Sequence, residues 1–152
     1  MQISDFFPLD FHQFRDRFGL MDKTDLKDRP KQLAINTGKL CLKLPFNAAN
    51  KVYIDQLVRS SSSSAANYFS AYRGKSKVDF INKLKTVEEE LGETMFFFEL
   101  LAAFNPSFKV ELRKLYKEAN KLLSIIVSSI NTATRNIVKD SAKKIRNLKS
   151  QT

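Results

Sequence analysis

Arg73-Gly74-Lys75-Ser76-Lys77-Val78-Asp79-Phe80 is the stretch that decides how this chain folds. Gly74 follows a long run of helical periodicity and stands where a helix takes its C′ residue. Two residues later, Ser76 and Asp79 make a Ser-x-x-Asp variant of the capping box, the mark of a new helix. One helix stops and another starts within a few residues, and so short a turn makes the two antiparallel neighbours.

Downstream of the turn, Phe80, Leu84, Val87, Leu91, Thr94, Phe98 and Leu101 repeat at alternating intervals of four and three. This is an a/d seam, and it predicts a helix over 77–104 that Asn105-Pro106 ends. Upstream, a helix over 48–73 is expected, with Asn47 as its cap and Ile54, Leu57, Val58, Ala65, Tyr68, Phe69 and Tyr72 as apolar positions. It contains five consecutive serines, 60–64. Low complexity suggests a loop, but the helical phase before the serines resumes unbroken after them. They therefore belong inside the helix, with Ser61 and Ser64 on the packed face, where small side chains admit a neighbouring backbone.

Working further outward, a first helix is expected over 29–44. Asp28 is its N-cap, Pro30 lies in its first turn and Pro45 stops it, with Leu33, Thr37, Leu40 or Cys41, and Leu44 as its stripe. A fourth helix starts near Ser107 and meets neither Pro nor Gly before the end of the sequence. Its seam is Leu112, Leu115, Ala119, Leu122, Ile126, Ile130, Ala133 and Ile137. Unbroken, it would exceed about 50 Å and protrude from a bundle with the shorter first helix. The expected fold is thus all-α, an antiparallel up-down four-helix bundle over 29–134. An N-terminal arm, 1–28, precedes it, and a basic helical extension, 135–152, follows. In the arm, Phe7, Phe11, Phe14 and Phe18 are spaced 4-3-4, which predicts a short amphipathic helix around 10–18. Its apolar face must dock on its own bundle or on another subunit or partner.

Composition agrees with this architecture. Four Gly and four Pro in 152 residues argue for long elements and against an all-β fold. One His and one Cys exclude an intrachain disulfide and a Cys/His zinc site built within one chain. The start, Met1-Gln2-Ile3-Ser4-Asp5-Phe6-Phe7-Pro8, lacks a basic n-region. No run approaches the roughly 20 apolar residues of a membrane span. A cytoplasmic protein is expected. Its charge is the outstanding feature: 26 basic against 16 acidic residues, a net +10. Half of that excess lies in 135–152, where Arg135, Lys139, Lys143, Lys144, Arg146 and Lys149 face a lone Asp140. Such asymmetry suggests a basic binding tail.

The run from Arg73 through Asp79-Phe80-Ile81-Asn82-Lys83-Leu84 resembles a known family, as does Glu90-Leu91-Gly92-Glu93-Thr94-Met95-Phe96-Phe97-Phe98-Glu99-Leu100-Leu101. Together they resemble the bacterial four-helix bundle proteins, also called 23S ribosomal RNA intervening-sequence proteins. That family is typified by G-R/K-x-S before a helix opening with D/E-F-I, then E-x-x-E-T-x-Y/F-W-x-E-L-L. Gln56-Leu57-Val58-Arg59 and the small residues up to Ala66-Asn67 are similar to its second helix. The resemblance covers roughly 29–131. Ala65 stands where the family often has Pro, and Phe97 where it often has Trp; neither departure removes a charge or a ligand. The Phe-rich arm and the segment after about Ile137 lie outside it. The resemblance implies an up-down bundle that assembles as a homopentamer, without known catalytic activity. It also implies an association with nucleic acid. Some relatives are encoded inside ribosomal RNA intervening sequences, and a related protein is the accessory factor of diversity-generating retroelements, a basic pentamer that works with a reverse transcriptase.

Readings as an enzyme find little to stand on. His12 is the sole imidazole and has no sequence-local partner. Cys41 lies in the apolar register of the first helix, the setting of an inert buried thiol. Neither a phosphate-cradling glycine loop nor a Gly-x-Ser-x-Gly elbow occurs. Glu88, Glu89, Glu90, Glu93 and Glu99 form an acidic cluster, but di-metal bundles add Glu-x-x-His pairs and no His is near. Lys85 is expected to pair with Glu88 and Glu89. Arg59 on the antiparallel second helix is expected to pair with Glu90 or Glu93. No catalytic residue, cofactor or metal ligand is assigned. Three consecutive helical residues span about 200° of circumference, so one core cannot hide Phe96, Phe97 and Phe98 together. A subunit interface accounts for the remainder, with partial exposure under the arm as the alternative.

The basic residues fall into three groups. Arg73, Lys75 and Lys77 lie at the turn; Lys109, Arg113, Lys114, Lys117 and Lys121 run along the fourth helix; Arg135, Lys139, Lys143, Lys144, Arg146 and Lys149 fill the tail. A homo-oligomer multiplies +10 into an assembly that repels itself unless counterions or a polyanion neutralise it. Phosphate backbones do so by counterion release, without a base-reading motif. The expected function is a non-enzymatic oligomer binding RNA or DNA through its backbone, recruiting a nucleic-acid enzyme such as a reverse transcriptase. The alternative is a protein-interaction scaffold that binds no nucleic acid. Ile137, Ile145 and Leu148 form too narrow an apolar face for membrane binding.

Overall fold

The computed structural model of the protein describes residues 26 and 28–151. The expected helix around 10–18, its four phenylalanines and His12 lie outside the described residues. Four α-helices make up the rest: α1 (Arg29–Cys41), α2 (Ala48–Ala71), α3 (Lys77–Phe104) and α4 (Lys109–Lys149), with a 3-10 turn at Pro106–Phe108 before α4. α2 packs on α3, α3 on α4, and α1 against both α2 and α4, which closes the bundle.

The α2–α3 turn is built as the sequence suggests, with three differences. Asp79 N–H donates to Ser76 Oγ at 3.1 Å, the expected cap. The reciprocal bond to the Asp79 carboxylate comes from Lys75 N–H, at 3.4 Å, and not from Ser76. α2 ends two residues early, and Gly74 does not take the left-handed conformation of a C′ glycine. Glycine eases a close approach instead: a Cβ there would lie 3.1 Å from the Ala71 carbonyl oxygen and 3.4 Å from Phe80 N, a tight fit that a shift of a few tenths of an ångström would relieve. At the other boundaries, α1 stops at Cys41, and a turn carries the chain to a buried Leu44. Asp28 occupies the N-cap position of α1 but makes no side-chain cap bond. Asn47 caps α2, accepting from Asn50 N–H at 2.9 Å.

The α3 seam is the centre of the core. All seven predicted positions are buried, and Ile81 joins them. On α2 the core is more polar than its apolar residues suggest. Val58 and Phe69 are 37% exposed, whereas Ser60, Ser61 and Ser64 are fully buried. Helical geometry disposes of their hydroxyls: Ser60 Oγ donates to Leu57 O, Ser61 to Val58 O and Ser64 to Ser61 O, at 3.3, 3.3 and 2.8 Å. Thr94 of α3 donates 3.0 Å to Ser60 Oγ across the interface. Small side chains with locally satisfied hydroxyls let α2 lie close against α3 without an orphaned polar atom.

One pole of the bundle gathers the end of α1, the start of α2 and the end of α3. A reciprocal amide pair holds it. Asn50 Nδ2 donates to Asn105 Oδ1, and Asn105 Nδ2 donates to Asn50 Oδ1, each at 2.8 Å. The remaining amide hydrogens go to Pro45 O and Leu101 O, also at 2.8 Å. Two ion pairs mark the register of α4, which its buried seam fixes. Arg29 Nε meets Glu118 Oε1 at 2.8 Å, so α1 starts beside the first third of α4. Lys77 Nζ meets Asp140 Oδ2 at 2.6 Å, so α3 starts beside its last quarter. Residues 138–151 are all exposed, as a helix outrunning its bundle must be.

Candidate nucleic-acid interface

α4 positions most of the cations singled out in the sequence. Its core side is fixed by Leu112, Ala119, Leu122, Ile126, Ile130 and Ala133. At 100° per residue, Lys109, Arg113, Lys114, Lys117, Lys121, Arg135, Lys139, Lys143, Arg146 and Lys149 fall within about 160° on the opposite side. All ten are exposed. The acids of the helix, Glu111, Glu118 and Asp140, lie outside that arc, nearer the core side. A basic stripe therefore runs the length of a helix about 60 Å long. Lys144 departs from it and projects from the other side of the protruding end. Among the described residues, none of the stripe cations from Lys109 to Arg146 is held in an ion pair.

The stripe is interrupted only at its middle. Between Lys121 and Arg135 the same face carries Ser124, Ser128 and Asn131, uncharged and exposed. The first cluster rims a cleft of about 610 Å³ between α1 and α4, lined by Arg29, Gln32, Asn36, Arg113, Lys117 and Lys121 among others. The second stands at the level of the α2–α3 turn, through Lys77 and Asp140. That contact revises one expectation: Lys77 is held by a carboxylate of its own chain, while Arg73 and Lys75 remain exposed at the same pole. Lys77 in turn holds the Asp140 carboxyl below the usual carboxylate range.

Other features of the sequence take structural places. Arg59 of α2 meets Glu90 at 3.3 Å and also pairs with Glu93, while its Nε donates to Gln56 at 3.1 Å. The Glu93 hydrogen bond, with the two carboxylates beside it, raises the guanidinium above its ordinary range. Lys85 forms no ion pair with Glu88 or Glu89 among the described residues, contrary to expectation. The phenylalanine triple divides by angle as predicted. Phe98 is buried, Phe97 is half-buried, and Phe96 is 55% exposed. Phe96, Phe97, Tyr53 and Phe104 form an aromatic row with centroid spacings of 5.3, 6.4 and 5.4 Å, and Phe104 is as open as Phe96.

Cys41 is buried, and burial pushes its thiol up to about 11. An unfolded thiol ionises near 8.5, whereas the folded one resists. The stability this contributes is whole below the unfolded value and is lost as pH rises toward the folded one. Alkaline denaturation between about pH 9 and 11 should therefore cost roughly 1.4 kcal/mol per unit from this group. Burial also raises Tyr68 and Tyr72, which adds to the loss near and above pH 10. Denaturant midpoints across that range, measured for the protein and for Cys41→Ala, should show a shallower decline in the variant. An identical slope would mean the thiol does not contribute.

No protein-family model matches the sequence, and neither does any curated protein. Among solved structures, the bundle matches a protein of unknown function from the S23 ribosomal protein family of Bacteroides thetaiotaomicron VPI-5482, a crystal structure at 1.70 Å resolution. The TM-score is 0.62 and the identity 26%, over 97% of that chain and 69% of this one. This chain is related to that family. Nearly the whole relative is matched, so the remaining part of this chain has no counterpart there.

Proposed function

We propose that the protein is a non-enzymatic, oligomeric accessory protein that binds nucleic acid through phosphate contacts and acts in the cytoplasm. One observation carries this reading: the one-sided basic stripe of α4, with carboxylates kept off its face. A merely soluble helix intersperses its charges, whereas a stripe of one sign creates a field that attracts a polyanion. The aromatic row of Phe96, Phe97, Tyr53 and Phe104 supports self-association on another face, in five copies by resemblance. Recruitment of a nucleic-acid enzyme, such as a reverse transcriptase, is the role we assign to the assembly. The S23 relationship is compatible with this reading, although that relative's own function is unknown.

Binding to labelled DNA and RNA, titrated from low to physiological salt, tests the reading. The logarithm of affinity should fall linearly with that of salt, with a slope of about −0.9 per phosphate contacted on duplex DNA. Absence of binding at low salt would overturn it in favour of a protein-interaction scaffold.

A further inference from the structure

α1 is too short for its corner of the bundle. It has 13 residues, against 24 in α2 and 28 in α3. Its first residue, Arg29, meets Glu118 only nine residues into α4. From that level to the pole of the α2–α3 turn, the described residues supply three helices, and the corner between α2 and α4 runs on past α1. Both of its walls keep the repeat of a packing seam. On α4, Glu118, Leu122, Ile125, Ser129, Thr132 and Asn136 follow one another at 4-3-4-3-4 on the side that Arg29 meets, over about 27 Å. On α2, Arg59 and Ser60 face α3, whereas Ser61, Ala65, Tyr68 and Tyr72 repeat 4-3-4 on the other flank. Beyond Glu118 neither row carries a charge.

The chain ahead of α1 carries a matching face. Leu26 packs against the core and extends the stripe of Pro30, Leu33, Thr37 and Leu40 backwards in the same 4-3 repeat. The chain therefore comes to α1 along the bundle and not from solvent. Upstream of Gly19, Phe11, Phe14 and Phe18 share that repeat. We infer that the segment around 10–18 docks as a helix in the α2–α4 corner of its own chain, phenylalanines inward, so that it and α1 share the fourth position of the bundle. Such a helix is about 14 Å long and fits the corner. Residues 19–25 reach about 23 Å when extended, enough to bring it to any level there. So short a tether holds the segment at an effective concentration in the millimolar range, which a second copy in dilute solution does not match. The aromatic row of Phe96, Phe97, Tyr53 and Phe104 lies on the α3 flank of α2 and stays outside this contact.

Cysteine cross-linking in the full chain tests the inference, with Cys41→Ala leaving two thiols per variant. Arg15→Cys and Arg17→Cys flank the phenylalanine face on its two sides. Each is combined with Ala65→Cys on the α2 wall, Thr132→Cys on the α4 wall, or Phe96→Cys on the aromatic row, and treated with a short bismaleimide. Circular dichroism checks the helix content of every variant first. Each wall should be joined by at least one of the arm thiols, about 10-fold or more faster than Phe96→Cys is. The product should keep the mass of one chain on a denaturing gel, at a rate that dilution leaves unchanged. Adding Phe11→Ser/Phe14→Ser should slow the reaction to the Phe96→Cys rate, which separates docking from tethering alone. Covalent dimers as the main product would overturn the inference in favour of a second copy's corner. Reaction with Phe96→Cys as fast as with the walls, no reaction in the folded protein, or a rate unchanged by the serine substitutions would each overturn it as well.

Discussion

Asn50→Ala is expected to destabilise the bundle by about 3–5 kcal/mol, although it deletes a polar side chain. Asn50 is fully buried and makes three side-chain bonds of 2.8 Å, two with Asn105 and one to Pro45 O. Its truncation leaves the Asn105 carbonyl and one Asn105 amide hydrogen without partners in a place water reaches poorly, and takes the donor from the carbonyl of the exposed Pro45. Each such group costs about 1–3 kcal/mol, and the cavity adds more. Asn105→Ala should cost a similar amount for the mirror-image reason. The double variant should cost less than the sum by about 1–3 kcal/mol, since neither amide is then orphaned. Chemical denaturation at one fixed protein concentration measures all three, with self-association held constant. Additivity within about 0.5 kcal/mol would show that the amides do not act as a pair.

That pair also marks where sequence stops being informative. Asn50 and Asn105 lie 55 residues apart, and nothing local in either segment indicates the other. The α3 seam was legible because a 4-3 repeat is a property of one strip of chain, and all seven positions are buried. The short turn was legible for the same reason, down to Ser76 as cap. The composition of the α2 core was less so. The helical phase puts Ser61 and Ser64 on the packed face, and both are fully buried; side-chain hydrophobicity does not show that Ser60 joins them while Val58 and Phe69 stand 37% exposed, the three serine hydroxyls being bonded to carbonyls three residues back. Helix ends were the weakest expectation. Leu44 is buried from a turn beyond α1, so apolar periodicity alone overran the helix. The candidate interface was half visible. The ladder Lys109, Arg113, Lys117, Lys121 can be read at intervals of four, but the capture of Lys77 by Asp140 requires the tertiary register.

Neutralising the second cluster should have the largest effect on binding. In Lys139→Gln/Lys143→Gln/Arg146→Gln, three exposed charges are lost from the protruding part of α4. If each holds one phosphate, the salt slope should flatten by about 2.7, and affinity for duplex DNA near 0.1 M salt should fall about 10²- to 10³-fold. Folding should change by no more than about 0.5 kcal/mol, because these side chains pack against nothing in the core and Lys77–Asp140 is left intact. Lys39→Gln/Lys83→Gln/Lys85→Gln removes the same charge from exposed positions on α1 and α3. Each variant lowers the net +10 by three, to +7, so the two differ in where charge is lost and not in how much. A phosphate backbone laid on the stripe responds strongly to the first variant and weakly to the second, since charges off the contact face are screened over a Debye length of about 10 Å. Equal losses would mean that net charge, and not the arrangement on α4, governs binding.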